Sequence, residues 1–400
     1  MRESENITKE RLIKEAVEEI DFSRDLSDEE LFRVIDDSFE KVGSRWQIPL
    51  EKRIEMRKEA FNSLRKLDCL QEFLDDDTVT EIMINGKDNI FIERNGKVEK
   101  IDKGFTSEKK LEDVIQQIVA GCNRRVNEAN PIQDARLPTG ERISIVLPPV
   151  ALNGPIVTIR KFSKTPLDME TLVSLNSLSY EAAEFLKKLV ISKYNIFISG
   201  GTGSGKTTFL NALSQFIPED ERIITIEDSA ELKLMGIKNL VRLETRNRTE
   251  DGAGEISIRD LIRASLRMRP ERIIVGECRG EEAIDMLQAM NTGHDGSLST
   301  GHANSSVDMI KRLETMALSG MDIPMAAIRS QIGSAIDVIV HLTRMQDKSR
   351  RVEEISEIVG IKNGELMLNR IFELRREGFI KVGELKNKSK LIKAGLCNGL

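Results

Sequence analysis

The stretch GGTGSGKTT, residues 200–208, has the spacing of a phosphate-binding loop. It fits the pattern G-x-x-x-x-G-K-[ST], follows an apolar run and opens a helical run, which is the context that this motif requires. The glycines let the backbone curl so that N–H groups point at phosphate oxygens, and the dipole of the following helix adds positive charge. We therefore predict a nucleotide site formed by Gly200, Gly201, Thr202, Gly203, Ser204, Gly205, Lys206, Thr207 and Thr208.

Two side chains of this loop have predicted chemical roles. Lys206 is expected to bridge the β- and γ-phosphates of the nucleotide, and the Thr207 hydroxyl is expected to ligate Mg²⁺. A protein of this kind also needs an acid at the tip of a neighbouring strand, where it orders Mg²⁺ and positions the attacking water. The apolar run RIIVGECRG supplies Glu277 for that position, and IITIEDSAEL supplies Glu227 followed by Asp228. We predict Glu277 as the main catalytic acid and second Mg²⁺ ligand, with Glu227 beside it.

Two of the three histidines lie in one strip of small polar residues, NTGHDGSLSTGHANS, at 291–305. A zinc ion shared by His294 and His302 would need two more ligands, and the remaining histidine, His341, lies on a predicted strand far along the chain. The four cysteines are scattered without a CxxC pair, which favours reduced thiols over disulfides or a zinc knuckle. We therefore expect a polar binding loop here and no metal other than Mg²⁺.

The elements that must position these residues alternate in type between residues 178 and 345. Short β-rich runs are separated by helical patterns, which predicts a mostly parallel sheet with helices on both faces. The predicted strands are YNIFISG, RIITIED, NLVRLE, RIIVGE, GSLSTGH and AIDVIVHL.

The rest of the chain reads as four further parts. Ser27 with Glu30 forms a capping-box pattern within a helical region, and Asn95-Gly96 is a strong hairpin signal in an alternating apolar and polar stretch. A second hairpin signal occurs at Asn363-Gly364. The predicted parts are a helical segment at 1–72, an α+β domain at 73–162 with a helix near 108–121, a linker at 163–177, and a C-terminal hairpin with a basic, loosely ordered tail at 346–400.

Composition narrows the functional classes. The net charge of −6 over 400 residues argues against broad nucleic-acid binding, although RNR at 246–248 and RPER at 269–272 leave the question open. No apolar run approaches the roughly 18 residues that span a bilayer, and the charged N-terminus has no signal-peptide pattern. We therefore expect a cytoplasmic protein that binds no nucleic acid.

Four boxes in order carry a family resemblance. GGTGSGKTT, the acidic box TIEDSAEL, the long stretch RMRPERIIVGECRGEEAIDMLQAMNTGHDGSLSTGHANS, and TIRKF together resemble the secretion-superfamily ATPases over about residues 75–345. The similarity is closest to the CpaF or TadA type, which powers tight-adherence pili and related type II/IV secretion machines. Its lack of a tetracysteine metal domain agrees with that branch.

The resemblance implies an architecture and a set of partners. The fold class is α/β: a RecA-like P-loop NTPase core preceded by a smaller α+β (PAS-like) domain and an N-terminal helical segment. The expected assembly is a homo-oligomer, a hexameric ring that hydrolyses ATP with Mg²⁺. It would act on an inner-membrane secretion or pilus platform protein from the cytoplasmic face.

The resemblance also implies roles for residues outside the P-loop. An imidazole of the histidine strip, with His302 preferred over His294, would reach the γ-phosphate. Arginines of the N-terminal domain would close over the phosphates and supply positive charge to the transition state. The candidates are Arg136, Arg142 and Arg160. Further arginines that the sequence cannot rank for contacts between subunits are Arg242, Arg246, Arg267, Arg269 and Arg279.

Three other classes of protein stay open on the sequence alone. A P-loop phosphotransferase would need an acceptor pocket and a basic lid, and the preceding α+β domain argues against it. A DNA-translocating or conjugation-type relative is disfavoured by the net charge. A nucleotide-binding regulator without turnover is disfavoured by the acids at two strand tips.

Overall fold

The computed structural model describes residues 2–20, 24, 26–43, 49–94, 96–122, 124–161, 166–246 and 254–396, with backbone alone at 2–10 and 42–43. The chain divides into two units, Met1–Lys164 and Thr165–Leu400. The expected domain end at Phe162 lies outside the described residues, as do Asn95, Cys397 and most of the RNR cluster. No helix of the described residues has the length and apolar character needed to cross a membrane.

The first unit begins with the predicted helical segment. Its helices are α1 (Arg2–Glu19), α2 (Asp28–Gly43), α3 (Leu50–Arg65) and α4 (Gln71–Asp75), the last preceded by a 3₁₀ turn at Asp68–Leu70. The capping box is confirmed, because Ser27 Oγ accepts from the Glu30 N–H at 3.2 Å and the Glu30 carboxylate accepts from the Ser27 N–H at 2.8 Å. Leu12, Ile35 and Phe61 belong to the apolar cluster that joins α1, α2 and α3.

A six-stranded antiparallel sheet completes the first unit. Its elements are β1 (Val79–Asn85), β2 (Ile90–Arg94), β3 (Lys97–Ile101), α5 (Glu108–Gly121), β4 (Ile132–Arg136), β5 (Arg142–Val146) and β6 (Ile156–Arg160), and the strand order is β3-β2-β1-β6-β5-β4. Arg94 pairs with Lys97 across the predicted hairpin, and Gly96 has a φ of +74°. The helix predicted near 108–121 is confirmed as α5, whose apolar side packs on one face of the sheet.

The second unit is built around a nine-stranded mixed sheet. Its elements are α6 (Met169–Ser174), α7 (Tyr180–Ile191), β7 (Ile196–Gly200), α8 (Lys206–Ser214), β8 (Arg222–Glu227), β9 (Asn239–Glu244), α9 (Ile258–Ser265), β10 (Arg272–Val275), α10 (Glu282–Asn291), β11 (Leu298–Gly301), α11 (Ser306–Gly320), α12 (Met325–Ala335), β12 (Val338–Arg344), β13 (Arg350–Lys362), β14 (Glu365–Arg375), β15 (Gly378–Lys381) and α13 (Ser389–Lys393). The strand order is β15-β14-β13-β12-β7-β11-β10-β8-β9.

The six strands predicted between 178 and 345 are confirmed as the parallel part of this sheet. β12, β7, β11, β10, β8 and β9 run parallel to one another. Alternate residues of a strand face opposite sides: Ile196 and Ile198 enter one buried cluster with α7 and α8, whereas Phe197 enters another with α9 to α12. Helices therefore cover both faces, as parallel strands require.

The C-terminal strands extend the same sheet in antiparallel fashion. β13 pairs with β12 and β14 pairs with β13, and Asn363 and Gly364 have φ values of +53° and +80° at the predicted tight turn. The expectation of a loosely ordered tail is wrong for the residues up to Leu396, since α13 is packed. Leu391 is fully buried, and Lys390 Nζ lies 2.7 Å from both Asp295 Oδ1 and Asp337 Oδ2. A leucine within the basic run gives the tail an apolar anchor.

Candidate nucleotide site

The P-loop lies between the carboxyl end of β7 and the first turn of α8. Gly205 caps α8 in the left-handed region with a φ of +93°, which favours glycine. A Cβ on Gly200 would come within 2.5 Å of both Leu342 O and Ser204 Oγ, so the start of the loop has no room for a side chain. The sequence thus folds into the strand–loop–helix arrangement in which backbone N–H groups and a helix N-terminus attract anions.

A chain of contacts runs from the P-loop lysine to the predicted acid. Lys206 Nζ donates to the carbonyls of Gly200 and Gly201 at 3.1 and 2.9 Å and lies 3.4 Å from His302 Nδ1. His302 Nε2 in turn lies 2.8 Å from Glu277 Oε1. The structure therefore brings Lys206, His302 and Glu277 together, although they come from three separate parts of the chain.

The surroundings of His302 favour its neutral imidazole. Burial lowers the pKa of His302, and the positive charge of Lys206 lowers it further. With its hydrogen on Nε2, His302 can accept from Lys206 at Nδ1, and Nε2 lies 2.8 Å from Glu277 Oε1. His302 therefore contacts both Lys206 and Glu277.

A second cation holds the other side of Glu277. Arg279 Nη2 donates to Glu277 Oε2 at 2.9 Å, and Arg279 Nη1 lies 3.8 Å from Asp228 Oδ2. The hydrogen bond to Glu277 raises the pKa of Arg279. Of the arginines that the sequence leaves unranked, Arg279 thus contacts the predicted acid within the same chain, whereas Arg246 Nε donates to the carbonyl of Gly254 at 2.5 Å.

Glu227 takes part in the loop that follows its own strand. Its Oε1 accepts from the N–H groups of Glu231 and Leu232, both at 2.8 Å. Burial raises the pKa of Glu227 to about 7 from its ordinary 4.5, partly offset by those two hydrogen bonds. A Cβ on Gly276 would come within 2.9 Å of Glu227 Cγ, so the carboxylate packs directly beside the strand that leads to Glu277. Glu227 therefore has a structural function in addition to its predicted chemistry.

The two histidines of the strip lie at opposite ends of β11. β11 begins at Leu298, after His294, and ends at Gly301, next to His302. His294 Nδ1 lies 3.1 Å from the carbonyl of Ala289, and the His294 carbonyl accepts from Ser297 Oγ at 2.7 Å. A whole strand therefore separates His294 from the P-loop, whereas His302, the preferred candidate for phosphate contact, lies beside Lys206.

His341 is a neighbour of the P-loop strand that sequence reasoning missed. It lies on β12 directly opposite Ser199 of β7, and its Nδ1 is 3.1 Å from Ser199 Oγ. Burial lowers the pKa of His341, and its hydrogen bond to the backbone of Asn304 ties it to the loop after His302. The sequence places His341 far from the other histidines, and only the pairing of β12 with β7 brings it near them.

The three predicted arginines of the first unit form a row on its sheet. Arg136 lies directly opposite Arg142, and Arg142 directly opposite Arg160, on neighbouring strands. The next residues inward, Ile143 and Ile159, are buried in the core with α5, so the arginines occupy the outer face. Directly opposed side chains have Cβ atoms about 5 Å apart, and like charges there are unfavourable. At the other side of the row, Glu81 of β1 lies directly opposite Arg160, so a carboxylate offsets part of that repulsion.

The donor set at the P-loop suits Mg²⁺ bound through nucleotide phosphates. Mg²⁺ prefers oxygen ligands and in nucleotide sites takes only one or two from the protein. Thr207 is in the first turn of α8, and Glu277 follows β10. Among the described residues no group of three or more His, Cys, Asp or Glu side chains could hold a metal ion, so such a cation would take most of its ligands from phosphate and water.

The fold and site define the class of protein. A parallel sheet with a P-loop after β7 and an acid after the nearby β10 is the arrangement of a P-loop nucleotide hydrolase. In agreement, a family described as "Type II/IV secretion system protein" matches residues 64–388.

Individual relatives support the same assignment. The conjugal transfer protein TrbB of Rhizobium radiobacter is 33% identical over 311 residues, covering 77% of this chain and 92% of TrbB. The type IV secretion system protein PtlH of Bordetella pertussis is 33% identical over 315 residues, covering 72% of this chain and 93% of PtlH. The ATPase DotB of Yersinia pseudotuberculosis has a similar fold, with a TM-score of 0.54 at 18% identity over 73% of this chain and 78% of DotB. The chain belongs to the type II/IV secretion system protein family.

Proposed function

We propose that this protein is a hexameric motor of the tight-adherence type. It hydrolyses ATP to drive pilus assembly or protein secretion through an inner-membrane platform protein, which it contacts from the cytoplasmic face. The observation that carries the proposal is the continuous contact from Lys206 through His302 to Glu277 at the P-loop. Such a chain links the residue that binds phosphate to the residue that positions water.

The residues around the P-loop have distinct tasks in hydrolysis. The backbone of residues 200–208 holds the β- and γ-phosphates, and Lys206 neutralises the charge that develops on them. The Thr207 hydroxyl and Glu277 would hold Mg²⁺, which would supply positive charge to the phosphates. Glu277 accepts a hydrogen bond from the attacking water, and Arg279 orients this carboxylate by donating to Oε2.

His302 reports the presence of the γ-phosphate. A phosphate oxygen that engages Lys206 competes for the same ammonium that donates toward His302 Nδ1. The imidazole can then reorient. Its Nε2 loses the contact with Glu277 when phosphate binds and regains it when the phosphate leaves. This sensing role supports a motor over a simple nucleotide-binding protein, because it couples the chemistry to a change in protein contacts.

The arginine row supports completion of the site by the smaller, PAS-like unit. Arg136, Arg142 and Arg160 present three adjacent positive charges on one outer face, which suits the polyphosphate of ATP. Closure of this face over the nucleotide would stabilise the transition state as an arginine finger does. In a ring, the row would be supplied by a neighbouring subunit, so that hydrolysis moves one subunit against the next.

Mixing two inactive variants tests this arrangement. Lys206→Ala removes the P-loop lysine, and Arg142→Ala or Arg160→Ala removes part of the row. If the row acts between subunits, an equal mixture regains about one quarter of wild-type turnover, since half of the P-loops are intact and half of their neighbours are intact in a head-to-tail ring. Arg125→Ala, an exposed arginine of the same unit, should keep full activity alone. A mixture that stays as inactive as its components contradicts the proposal.

Conjugation is a second setting for the same motor. The relative TrbB is a conjugal transfer protein, so export during conjugation is a candidate process for this chain. Direct movement of DNA by this chain is disfavoured by its net charge of −6. An affinity for duplex DNA that falls steeply with salt would support conjugation as the setting. An affinity for DNA that salt does not change would oppose it.

A further inference from the structure

The turn between β12 and β13 lies beside the P-loop. β12 is the parallel neighbour of β7, with Leu342 directly opposite Gly200. The contact is close, since a Cβ on Gly200 would lie 2.5 Å from Leu342 O. β12 continues to Arg344, and the chain returns along β13 from Arg350. The ends of both strands therefore stand at the level of the phosphate-binding loop.

Two arginines at these strand ends reach the loop. Arg350 Nε donates to the carbonyl of Gly203 at 3.0 Å, and Arg350 Cδ lies 3.2 Å from the place of a Cβ on Gly205. Arg344 Nη1 lies 3.5 Å from the place of a Cβ on Gly203. Neither glycine has a Cβ, so the arginines can lie close to the loop backbone. The two guanidinium groups thus cover the loop from its own chain.

The backbone of Arg350 is fixed by the segment that leads into α7. Ser177 Oγ donates to the Arg350 carbonyl at 2.9 Å, and the Val352 N–H donates to the Ser177 carbonyl at 2.8 Å. Ser177 is itself buried. The hydrogen bond from Arg350 to Gly203 therefore starts from an anchored strand end and can hold the loop in one shape.

The pairing of Arg344 with Arg350 carries an electrostatic cost. The two residues are directly opposed in the antiparallel pair of β12 and β13, where like charges are unfavourable. Both side chains are exposed, so solvent reduces the repulsion without removing it. An anion bound at the loop beside them would relieve the repulsion, and a nucleotide polyphosphate carries several negative charges.

We propose that Arg344 and Arg350 form a second, same-chain cationic wall of the nucleotide site. Arg350 is a positioning residue: it satisfies the outward Gly203 carbonyl and keeps the loop's N–H groups turned to the phosphates. Arg344 contacts the phosphates directly. The inference rests on the proposed function only in taking the P-loop as the nucleotide site. It adds a charge that is independent of the arginine row of the smaller unit.

Nucleotide affinity at several salt concentrations tests the wall. The probe is fluorescent N-methylanthraniloyl-ADP with Mg²⁺, titrated against the full chain. Arg344→Ala should weaken binding about tenfold, as expected for a lost charged hydrogen bond, and should make the affinity less sensitive to salt. Arg344→Lys should recover most of the affinity, because a point charge suffices for a phosphate.

Arg350 should behave differently from Arg344 in the same titration. Arg350→Ala should also weaken binding about tenfold, but Arg350→Lys should recover little, because a lysine cannot aim an Nε–H at the Gly203 carbonyl from the same stem. Arg376→Ala, an exposed arginine after β14, is the matched control and should bind as the wild type does. Unfolding temperatures show whether each variant is folded. Where an alanine variant does not fold, the lysine variant at the same position is measured in its place.

Two results separate this inference from the proposed function. If Arg344→Ala and Arg350→Ala bind the probe within twofold of the wild type with unchanged salt dependence, the cationic wall is wrong and the P-loop site stands. If the wild type does not bind the probe, or Lys206→Ala binds it equally well, the nucleotide site itself is wrong. Weakened binding with rescue by lysine at 344 alone supports the wall.

Discussion

Glu277 is the residue on which the proposed chemistry depends most. Arg279 donates to one of its oxygens at 2.9 Å, and His302 lies 2.8 Å from the other. Arg279 and His302 thus contact the two carboxylate oxygens of Glu277 and can hold them in place. The carboxylate also follows β10 directly, so its position is set by the sheet rather than by a long loop.

Glu277→Gln keeps the size of the side chain and removes its charge. We expect ATP binding within about threefold of the wild type, because the P-loop itself is unchanged, and turnover reduced by at least about 100-fold. Single-turnover hydrolysis and nucleotide titration measure the two quantities. Glu219→Gln, a surface carboxylate paired with Lys238, is the control and should hydrolyse normally. Normal turnover of Glu277→Gln would remove this residue from the mechanism.

Glu227 makes a separate prediction about stability and pH. Its pKa is raised to about 7 in the folded chain, so the folded state holds a proton that the unfolded state releases near 4.5. Stability from this group is therefore fully present below pH 4.5 and is lost as the pH rises through 7.

The expected test is the unfolding temperature of Glu227→Gln and wild type between pH 5 and pH 8.5. Glutamine keeps an acceptor for the N–H groups of Glu231 and Leu232 and never ionises. Relative to the wild type, the free energy of unfolding of the variant should increase as the pH rises, by up to roughly 3 kcal/mol. Two curves that stay parallel across this range would show that burial of Glu227 has no such effect.

At the scale of elements, the C-terminal helix α13 is part of the core of the second unit. Leu391 is fully buried, whereas its neighbour Ile392 is 66% exposed. Tyr194 Oη donates to the carbonyl of Asn387 at 2.7 Å, just before this helix. α13 therefore closes the amino-terminal edge of the sheet, opposite to the P-loop.

Two alanine substitutions in α13 form a matched pair. Leu391→Ala should lower the free energy of unfolding by roughly 2–4 kcal/mol, because it leaves a cavity in a packed core. Ile392→Ala should change it by less than about 0.5 kcal/mol, as expected at an exposed position. Urea unfolding measures both. Equal small effects would mean that the tail is not packed in solution.

Sequence reasoning succeeded where the signal was local. The strand and helix around Lys206, the hairpin turn at Asn363-Gly364 and the cap at Ser27 each depend on a few adjacent residues. It failed where strand pairing decided the outcome. His341 and Arg350 come close to the P-loop only because β12 pairs with β7 and β13 pairs with β12. The residues next to them in the sequence do not indicate this strand pairing.

The histidine strip shows the same limit from the opposite side. His294 and His302 are close in sequence but lie at the two ends of β11, since a short strand separates them. Leu391 in the tail was missed because one buried leucine within a basic run gives no periodic signal. Residue chemistry was therefore predictable at the P-loop, whereas the second layer of contacts around it required the topology.

At the scale of the whole molecule, we propose that the nucleotide site of one chain is completed by groups of a neighbouring chain. The P-loop, Glu277 and His302 belong to Thr165–Leu400, and the arginine row belongs to Met1–Lys164. If the row is supplied by a neighbouring chain, an isolated chain has an incomplete site and hydrolysis requires the ring. Assembly would then control activity, and each hydrolysis event would act on a contact between subunits.

ATP turnover per chain across a protein dilution series tests this claim most directly, with Lys206→Ala as the control for the site. The account predicts that turnover per chain collapses on dilution as rings dissociate, and that the control is inactive at every concentration. Turnover per chain that stays constant on dilution, and is still abolished by Lys206→Ala, would contradict it. Each chain would then carry a complete site, and the arginine row would not act between subunits.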